Sequence, residues 1–262
     1  MDPAPTRTVL ALMAHPDDAE ILCGGTLVRL AERGWRVAIA SMTAGDCGSA
    51  ERSAEDIAAI RREEARRAAA TIGASYHCLE RKDLEVFYER ESLVAACGVL
   101  RTVRPALIIT HSPEDYMLDH EETSRVARAA AFNAPIPNAP GPPGSEPLDA
   151  IPHLYYADPL EGRSPLGREI RPSLLVDIAD VEDTKLRMLA CHASQRDWLH
   201  RHHGIDEYLD SVRRWARARG ALAGLAAAEG FRQHLGHSYP ASDILAEELR
   251  AHVRRPAVRR PS

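Results

Sequence analysis

The chain has 262 residues, of which 45% are hydrophobic and 27% charged, a composition typical of a globular protein and not of a fibrous or disordered one. Its formal net charge of −5 gives no electrostatic footprint for nucleic acid. No apolar run approaches the roughly 20 residues that span a bilayer, and the first residues lack the pattern of a signal peptide, so we expect a cytoplasmic protein.

Cysteine and arginine are distributed differently along the chain. The five cysteines are scattered and form no Cys-x-x-Cys pair, which predicts neither a disulfide framework nor a thiolate zinc site. Residues 250–262, by contrast, hold five arginines and no acid. We interpret this basic tail as a frayed end, and we predict one domain over residues 1–262 with its core at 7–200.

Short apolar runs alternate with amphipathic segments through most of the chain. In chain order we predict a strand at 8–14, a helix at 20–33, a strand at 35–42, a helix at 54–72, a strand at 75–79, a helix at 91–103, a strand at 106–110, a helix at 121–132, strands at 153–157 and 173–178, and a long helix at 181–203. This alternation predicts an α/β protein with a Rossmann-like three-layer fold, a mostly parallel sheet and a C-terminal helical extension.

The segment 133–152 interrupts the alternation. It contains seven prolines and two glycines, too many breakers for regular structure. Two interpretations remain open, a lid over a binding site and an ordinary surface loop.

Polar clusters follow two of the predicted strands. His15-Pro16-Asp17-Asp18 comes directly after the first strand, and Asp119-His120 lies in the loop beyond the strand at 106–110. In parallel sheets ligands bind beyond the carboxyl ends of the strands, and imidazole with carboxylate is a donor set suited to zinc or ferrous iron. Spacing alone leaves open which of Asp17 and Asp18 is a ligand and which a base.

The first of these clusters also has an explanation without a metal. His15-Pro16-Asp17-Asp18 can form a turn followed by an Asp N-cap. His111 is a further candidate ligand, although a histidine after a strand is commonly a hydrogen-bonded loop residue. Gly24-Gly25 forms no known phosphate-binding pattern, which favours close packing of a helix.

Several segments resemble the motifs of the PIG-L/LmbE N-deacetylases. They are Ala14-His15-Pro16-Asp17-Asp18-Ala19-Glu20, Thr43-Ala44-Gly45-Asp46, Arg61-Arg62-Glu63-Glu64, Asp115-Tyr116-Met117-Leu118-Asp119-His120 and Cys191-His192-Ala193-Ser194-Gln195. The first and fourth are the specific ones. Together the motifs span about residues 7 to 200, most of the chain.

The resemblance implies a Rossmann-like fold and one zinc ion per chain. It makes His15, Asp18 and His120 the zinc ligands and Asp17 the general base that activates the attacking water. It further implies that Arg61 and Asp46 lie near the substrate and that Asp119 supports the site.

The chain departs from the family pattern at Met117, where many members have histidine. His111 and His192 are candidates to replace that histidine in oxyanion stabilisation or proton transfer, although a loop or helix residue with a structural hydrogen bond is the favoured interpretation of each. Arg61 has a second explanation too, since it lies on a charged helix face where i,i+4 ion pairs are expected.

The resulting functional hypothesis is a zinc-dependent hydrolase that removes an acetyl or other acyl group from an N-acetylglucosaminyl conjugate. Its expected partner is therefore a small molecule, and self-association into a homo-oligomer is compatible with the sequence. The alternatives are a metal-dependent amidase for a substrate without a sugar and a non-catalytic Rossmann-like binding protein.

Overall fold

A computed structural model of the protein describes residues 7–196 and 208–257. The strands are β1 (Thr8–Met13), β2 (Arg36–Thr43), β3 (Ser75–Arg81), β4 (Leu107–Thr110), β5 (His153–Ala157), β6 (Leu174–Asp177), β7 (Ala228–Gln233) and β8 (Val253–Arg254). The helices are α1 (Asp18–Glu32), α2 (Ala54–Ala70), α3 (Arg90–Val103), α4 (Leu118–Asn133), α5 (Glu182–Leu189), α6 (Tyr208–Ala221) and α7 (Ile244–Leu249). Short 3₁₀ turns lie at Leu160–Gly162 and Arg250–His252.

The strands form one sheet in the order β3-β2-β1-β4-β5-β7-β6-β8. The first five strands of the chain pair in parallel. β7 then pairs antiparallel with β5 and β6, and β8 pairs antiparallel with β6. The predicted α/β fold with a mostly parallel sheet is confirmed.

Helices cover both faces of the sheet, as the alternation along β1 shows. Val9, Ala11 and Met13 pack with residues of α1, α5, α6 and α7 on one face. Leu10 and Leu12 pack with residues of α3 and α4 on the other face. All five residues are fully buried, which explains why β1 is a continuous apolar run without a polar face.

The C-terminal part differs from the predicted long helix and frayed tail. α5 ends at Leu189, and a turn at residues 190–192 separates it from the helical residues 193–196, while residues 197–203 of the predicted helix lie outside the described part of the chain. The prediction of a frayed C-terminal end is wrong for residues 250–257. Val253 pairs with Val176 at the edge of the sheet, and Arg255 forms an ion pair with Asp243.

The segment 133–152 packs against α3. The Arg101 guanidinium of α3 donates to the carbonyl oxygens of Ala134 (3.2 Å) and Ile136 (2.8 Å) and to Ser145 Oγ (3.1 Å). Of the two interpretations, these contacts favour the surface loop. All five cysteines are free thiols, and none of the described helices is long and apolar enough to cross a membrane.

Candidate metal centre and active site

The carboxyl ends of three neighbouring strands meet at one point of the sheet edge. Thr110 at the end of β4 donates from Oγ1 to the Leu12 carbonyl of β1 (2.8 Å), and the Thr43 N–H at the end of β2 donates to the Ala14 carbonyl (2.9 Å). The segments that follow β1, β2 and β4 therefore leave the sheet side by side. This places the two polar clusters predicted from the sequence within reach of each other.

Asp17 joins β1 to α1 in an unusual backbone conformation. Its φ of 100° lies in the left-handed region, which non-glycine residues rarely adopt. Asp17 occupies the N-cap position of α1, but its side chain makes no capping hydrogen bond. The N-cap explanation of this aspartate is therefore wrong, and backbone strain of this kind is concentrated at functional sites.

The side chains of His15, Asp18 and His120 converge beyond the strand ends. One potential ligand atom from each lies within 4.8 Å of the others, and all three residues are buried. His15 Nδ1 is 3.3 Å from Asp18 Oδ2, and His120 Nε2 is 3.6 Å from Asp18 Oδ1. The structure thus brings together the three residues that the family resemblance selects as ligands.

Carboxylates orient both histidine rings from the outside. His120 Nδ1 lies 3.0 Å from Asp115 Oδ1, so that its Nε2 faces Asp18. His15 Nε2 lies 3.0 Å from Asp83 Oδ1 and 3.3 Å from Asp119 Oδ2, so that its Nδ1 faces Asp18. Metal-binding histidines characteristically donate their outer N–H to such a carboxylate, which fixes the tautomer and the ring orientation.

The electrostatics of the cluster favour a cation. Burial lowers the pKa of His15, but its contacts with Asp119, Asp18 and Asp83 outweigh burial and raise it well above the usual value. The pKa of His120 is likewise raised, because Asp18 and Asp115 outweigh burial. Both rings therefore attract positive charge, which a divalent ion would supply in place of protons. The N/O donor set and its orientation fit zinc or a similar transition metal.

Asp17 lies beside this group with its own set of contacts. The Tyr208 hydroxyl donates to Asp17 Oδ2 at 2.6 Å, and Arg61 Nη2 lies 3.8 Å from Oδ1. Burial raises the pKa of Asp17, and the charge of Arg61 offsets only part of that effect. A buried carboxylate with a raised pKa at a pocket wall is suited to proton transfer near neutral pH.

Arg61 is buried beneath the loop that follows β2. Its guanidinium donates to the carbonyl oxygens of Pro16 (2.9 Å) and Gly45 (3.3 Å), and only 4% of the residue is exposed. A Cβ atom at Gly45 or Gly48 would crowd Arg61 Nη1, and Gly45 also has a φ of 69°, so the loop approaches the guanidinium closely at two residues without side chains. The charged-face explanation is therefore wrong for Arg61, although Glu63 and Arg66 of the same helix do form an ion pair at 3.4 Å.

Asp46 lies in the loop that follows β2 and is not among the residues that line the pocket. Its carboxylate accepts from the Asp83 N–H (3.0 Å) and from Lys82 Nζ (3.3 Å). Asp119 accepts from the N–H groups of Leu84 (2.8 Å) and Val86 (3.3 Å). The two aspartates thus hold the turn after β3, which presents Asp83 to His15.

His111 and His192 are both buried and lie behind the pocket wall. The Ala14 N–H donates to His111 Nε2 at 3.0 Å, and the His111 ring stacks on His120 with centroids 3.9 Å apart. Burial and the neighbouring His120 lower the pKa of His111. His192 Nε2 lies 3.5 Å from Glu20 Oε2. His111 thus has the hydrogen bond of the structural alternative and also lies 3.2 Å from Asp18 Oδ2, whereas neither ring nitrogen of His192 makes a hydrogen bond to the described residues.

The cluster opens into a pocket of about 560 Å³. The described residues that line it are His15, Asp17, Asp18, Ile21, Cys47, Gly48, Arg61, Asp83, Leu84, Tyr116, Met117, His120, Leu160, Gln195, Tyr208, Ser211, Val212 and Trp215. This volume lies within the range of about 300–1,000 Å³ that is usual for small-molecule sites.

Three residues of the site were missed by sequence reasoning. Asp115 begins the family-like motif that ends at His120, five residues later, but the sequence assigns it no role. Asp83 follows a predicted strand and could have been selected on that ground alone. Tyr208 carries no sequence signal, because only the packing of α6 against α1 and α5 brings it to Asp17.

A mostly parallel α/β sheet with a buried His/Asp cluster at its carboxyl edge defines a class of proteins that could bind a metal ion in an open pocket. The comparisons with known proteins narrow this class to one family. Residues 10–131 match the model of the PIG-L family, described as GlcNAc-PI de-N-acetylase.

Individual relatives support the same family. The chain is 30% identical to the diacetylchitobiose deacetylase of Thermococcus kodakarensis, over 72% of this chain and 70% of that protein. It is 28% identical to the 4-oxalmesaconate hydratase of Pseudomonas putida, over 73% of this chain and 75% of that protein. The crystal structure of the N,N'-diacetylchitobiose deacetylase of Pyrococcus horikoshii superposes with a TM-score of 0.75 at 26% identity, over 92% of this chain and 89% of that one. The chain belongs to the PIG-L family of enzymes.

Proposed function

We propose that the protein is a zinc-dependent N-deacetylase that hydrolyses the amide of an N-acetylglucosaminyl conjugate. The observation that carries the proposal is the convergence of His15, Asp18 and His120 beside a separate, buried carboxylate, Asp17. The deacetylase relatives act on sugar substrates by their names, which supports the substrate class. Hydrolysis consumes one water and yields a carboxylic acid and a free amine.

In the proposed arrangement His15 Nδ1, Asp18 and His120 Nε2 hold one zinc ion. The chemistry that such an ion supplies is the acidification of water to a pKa of about 7 and the polarisation of the amide carbonyl. Asp115 keeps His120 oriented, and Asp83 with Asp119 keeps His15 oriented, through the outer ring nitrogens.

Asp17 moves the proton. It accepts a proton as water adds to the carbonyl carbon, and it gives that proton to the nitrogen as the C–N bond breaks. Its raised pKa suits both steps, because a carboxyl that ionises nearer neutral pH can serve as base and then as acid. Tyr208 holds Oδ2 of Asp17, so the proposed proton transfer falls to Oδ1, which lies 3.8 Å from Arg61 Nη2.

Hydration of a carboxylate-rich compound, as the name of the hydratase relative indicates, is the second candidate. It also requires an activated water. In the described part of the chain, however, Arg61 is the one Arg or Lys side chain that lines the pocket, and its guanidinium already donates to two carbonyl oxygens. A pocket whose one cationic Arg or Lys side chain already binds two carbonyl oxygens favours a neutral amide over a polyanion.

The proposal is tested on protein freed of metal with a chelator and titrated with zinc. We expect one zinc per chain and the release of acetate from N-acetylglucosaminyl conjugates, measured beside a panel of non-sugar amides and unsaturated carboxylic acids. Asp17→Asn should retain zinc and lose activity by about 10²- to 10⁴-fold, because the general base is removed.

Asp149→Asn is the matched control, since it removes a carboxylate that is 96% exposed on the loop beside α3. Its turnover should equal that of the wild type. Unchanged turnover in Asp17→Asn would refute the role given to Asp17. Zinc-loaded protein that leaves every sugar amide intact would refute the deacetylase function.

A further inference from the structure

The pocket has a polar end and an apolar side. The polar end is formed by the metal-binding group, Asp17 and Arg61. One side is formed by four apolar residues from three elements, Ile21 of α1, Leu160 of the 3₁₀ turn after β5, and Val212 and Trp215 of α6. We call these four residues the apolar wall.

The apolar wall is not simply part of the protein core. Ile21, Leu160 and Trp215 are only partly buried, although Val212 is 3% exposed. All four also border a second cavity of about 80 Å³ between α1 and α6, so apolar surface is in contact with open space on both sides. Partly exposed apolar side chains that line a concave pocket are typical of a surface that a ligand covers.

The apolar wall begins directly beside the proposed acid-base residue. Tyr208, Ser211, Val212 and Trp215 line the pocket with the i, i+3, i+4, i+7 spacing of one helix face. Tyr208 bonds to Asp17, and Trp215 lies seven residues further along α6, which is roughly 10 Å at 1.5 Å per residue. Ile21, on the first turn of α1, connects Asp17 to the same surface.

This position identifies which half of the substrate meets the apolar wall. Asp17 must lie within hydrogen-bond distance of the leaving nitrogen in order to protonate it. The amine side of the amide is therefore directed toward Asp17 and the surface that continues from it. The other apolar lining residues, Leu84, Tyr116 and Met117, are left for the acyl side, and Leu84 and Tyr116 are each 62% exposed.

We propose that the amine half of the substrate carries an apolar group, aromatic or alkyl, as the aglycone of the amino sugar, and that the apolar wall binds it. This inference rests on the proposed deacetylase function and adds the chemical class of the aglycone. Burial of an apolar group against Trp215 and its neighbours favours such a conjugate over free N-acetylglucosamine, because it removes apolar surface from water.

The test compares four amides with the zinc-loaded protein: N-acetylglucosamine, its phenyl glycosides in both anomeric forms, and N-hexanoylglucosamine. We expect kcat/KM to be at least about tenfold higher for a phenyl glycoside than for the free sugar. Trp215→Ala, or Ile21→Ala where the first variant folds poorly, should abolish that preference. Phe132→Ala is the matched control, because it removes a partly exposed aromatic side chain from α4 outside the pocket.

Binding provides a readout that does not depend on turnover. In zinc-loaded Asp17→Asn, calorimetry should show a Kd for the phenyl glycoside about tenfold below that for the free sugar, with the difference lost on adding Trp215→Ala. Equal kcat/KM values, a preference seen only for N-hexanoylglucosamine, or a preference that survives both wall variants would overturn the inference. Hydrolysis of none of the amides would instead refute the proposed function, and tight binding of the phenyl glycoside would then still identify the apolar wall as a ligand site.

Discussion

Asp17, the proposed general base, has both an unusual backbone conformation and an unusual environment for its carboxylate. The fold keeps its backbone at a φ of 100° and buries its carboxylate, so that neither conformation nor solvation is the one preferred by a free aspartate. The Tyr208 hydroxyl compensates in part by donating to Oδ2. Hydrogen bonds to charged groups are worth roughly twice as much as neutral ones, so this contact is expected to fix the direction of the carboxylate.

Tyr208→Phe removes that hydrogen bond and little else. We expect kcat to fall by about ten- to a hundredfold, the range for loss of one hydrogen bond to a charged group, while KM and zinc content stay unchanged. Steady-state kinetics with metal analysis measures both effects. A purely structural tyrosine would instead lower the thermal midpoint without separating kcat from KM.

Tyr155→Phe is the matched control for this variant. It removes a tyrosine–aspartate hydrogen bond of 2.8 Å, to Asp243 Oδ1, at a distance from the pocket. Its kcat should equal that of the wild type. If Tyr208→Phe is as active as the control, or if it loses zinc, the positioning role assigned to Tyr208 is wrong.

At the scale of elements, α1 is fixed by a buried ion pair from the C-terminal part of the chain. Glu229 of β7 and Lys185 of α5 lie 2.6 Å apart. Lys185 Nζ donates to the Ile21 carbonyl (2.8 Å), and Glu229 accepts from the Gly25 N–H (2.9 Å), two groups that would be partners in a regular helix. The first turn of α1, which carries Asp18, is thereby attached to β7.

α1 also packs closely against Ile178 and Lys185, which explains the adjacent glycines Gly24 and Gly25. A Cβ atom at Gly25 would lie 2.6 Å from Ile178 Cγ2, whereas a Cβ atom at Gly24 would meet only the Lys185 side chain, at 3.2 Å. The sequence-based expectation of close helix packing at these glycines therefore agrees with the contacts.

Gly25→Ala should destabilise the protein by about 1–3 kcal/mol, because α1 must move away from Ile178. Urea unfolding measures the change. Gly24→Ala is the control in the same helix, and its loss should be clearly smaller, because its Cβ atom would come no closer than 3.2 Å to Lys185 Cγ, against 2.6 Å to Ile178 at Gly25. Equal losses for the two variants would mean that Ile178 does not limit the approach of α1.

At the scale of the whole molecule, Asp158 lies where the parallel strands meet the antiparallel ones. It follows β5, and its Oδ2 lies 3.1 Å from Arg219 Nε. Burial raises the pKa of Asp158 to about 6, although Arg219 and Arg232 act in the opposite direction. The folded state therefore binds the proton of the Asp158 carboxyl group more tightly than the unfolded chain does. This difference stabilises the folded protein fully below about pH 4, and the stabilisation is lost as the pH rises to about 6.

Asp158→Asn cannot titrate and isolates this contribution. The difference in unfolding free energy between wild type and variant should fall by about 2–3 kcal/mol between pH 4 and pH 6.5, as two pKa units correspond to that amount. Denaturant unfolding of both proteins across this range measures it. A difference that stays constant or grows with pH would contradict a raised pKa for Asp158.

The fold class, the first five strands and the placement of the two polar clusters at one sheet edge could be predicted from the sequence, and the resemblance to the PIG-L/LmbE family then selected His15, Asp18 and His120. The physical reason is that strands, helices and their order leave local patterns in the sequence. Fully buried strands must be apolar runs, amphipathic helices must repeat every 3.6 residues, and the carboxyl ends of parallel strands must share one edge.

The contacts between distant segments could be seen only in the folded structure. The approach of Tyr208 to Asp17, the contacts of Lys185 and Glu229 with α1, and the pairing of Val253 and Arg254 with β6 join positions far apart in the chain. Such contacts depend on how packed layers fit together, and no periodicity or short motif encodes that fit. For this reason the grouping of the candidate ligands could be predicted, whereas the contact of Tyr208 with Asp17 could not.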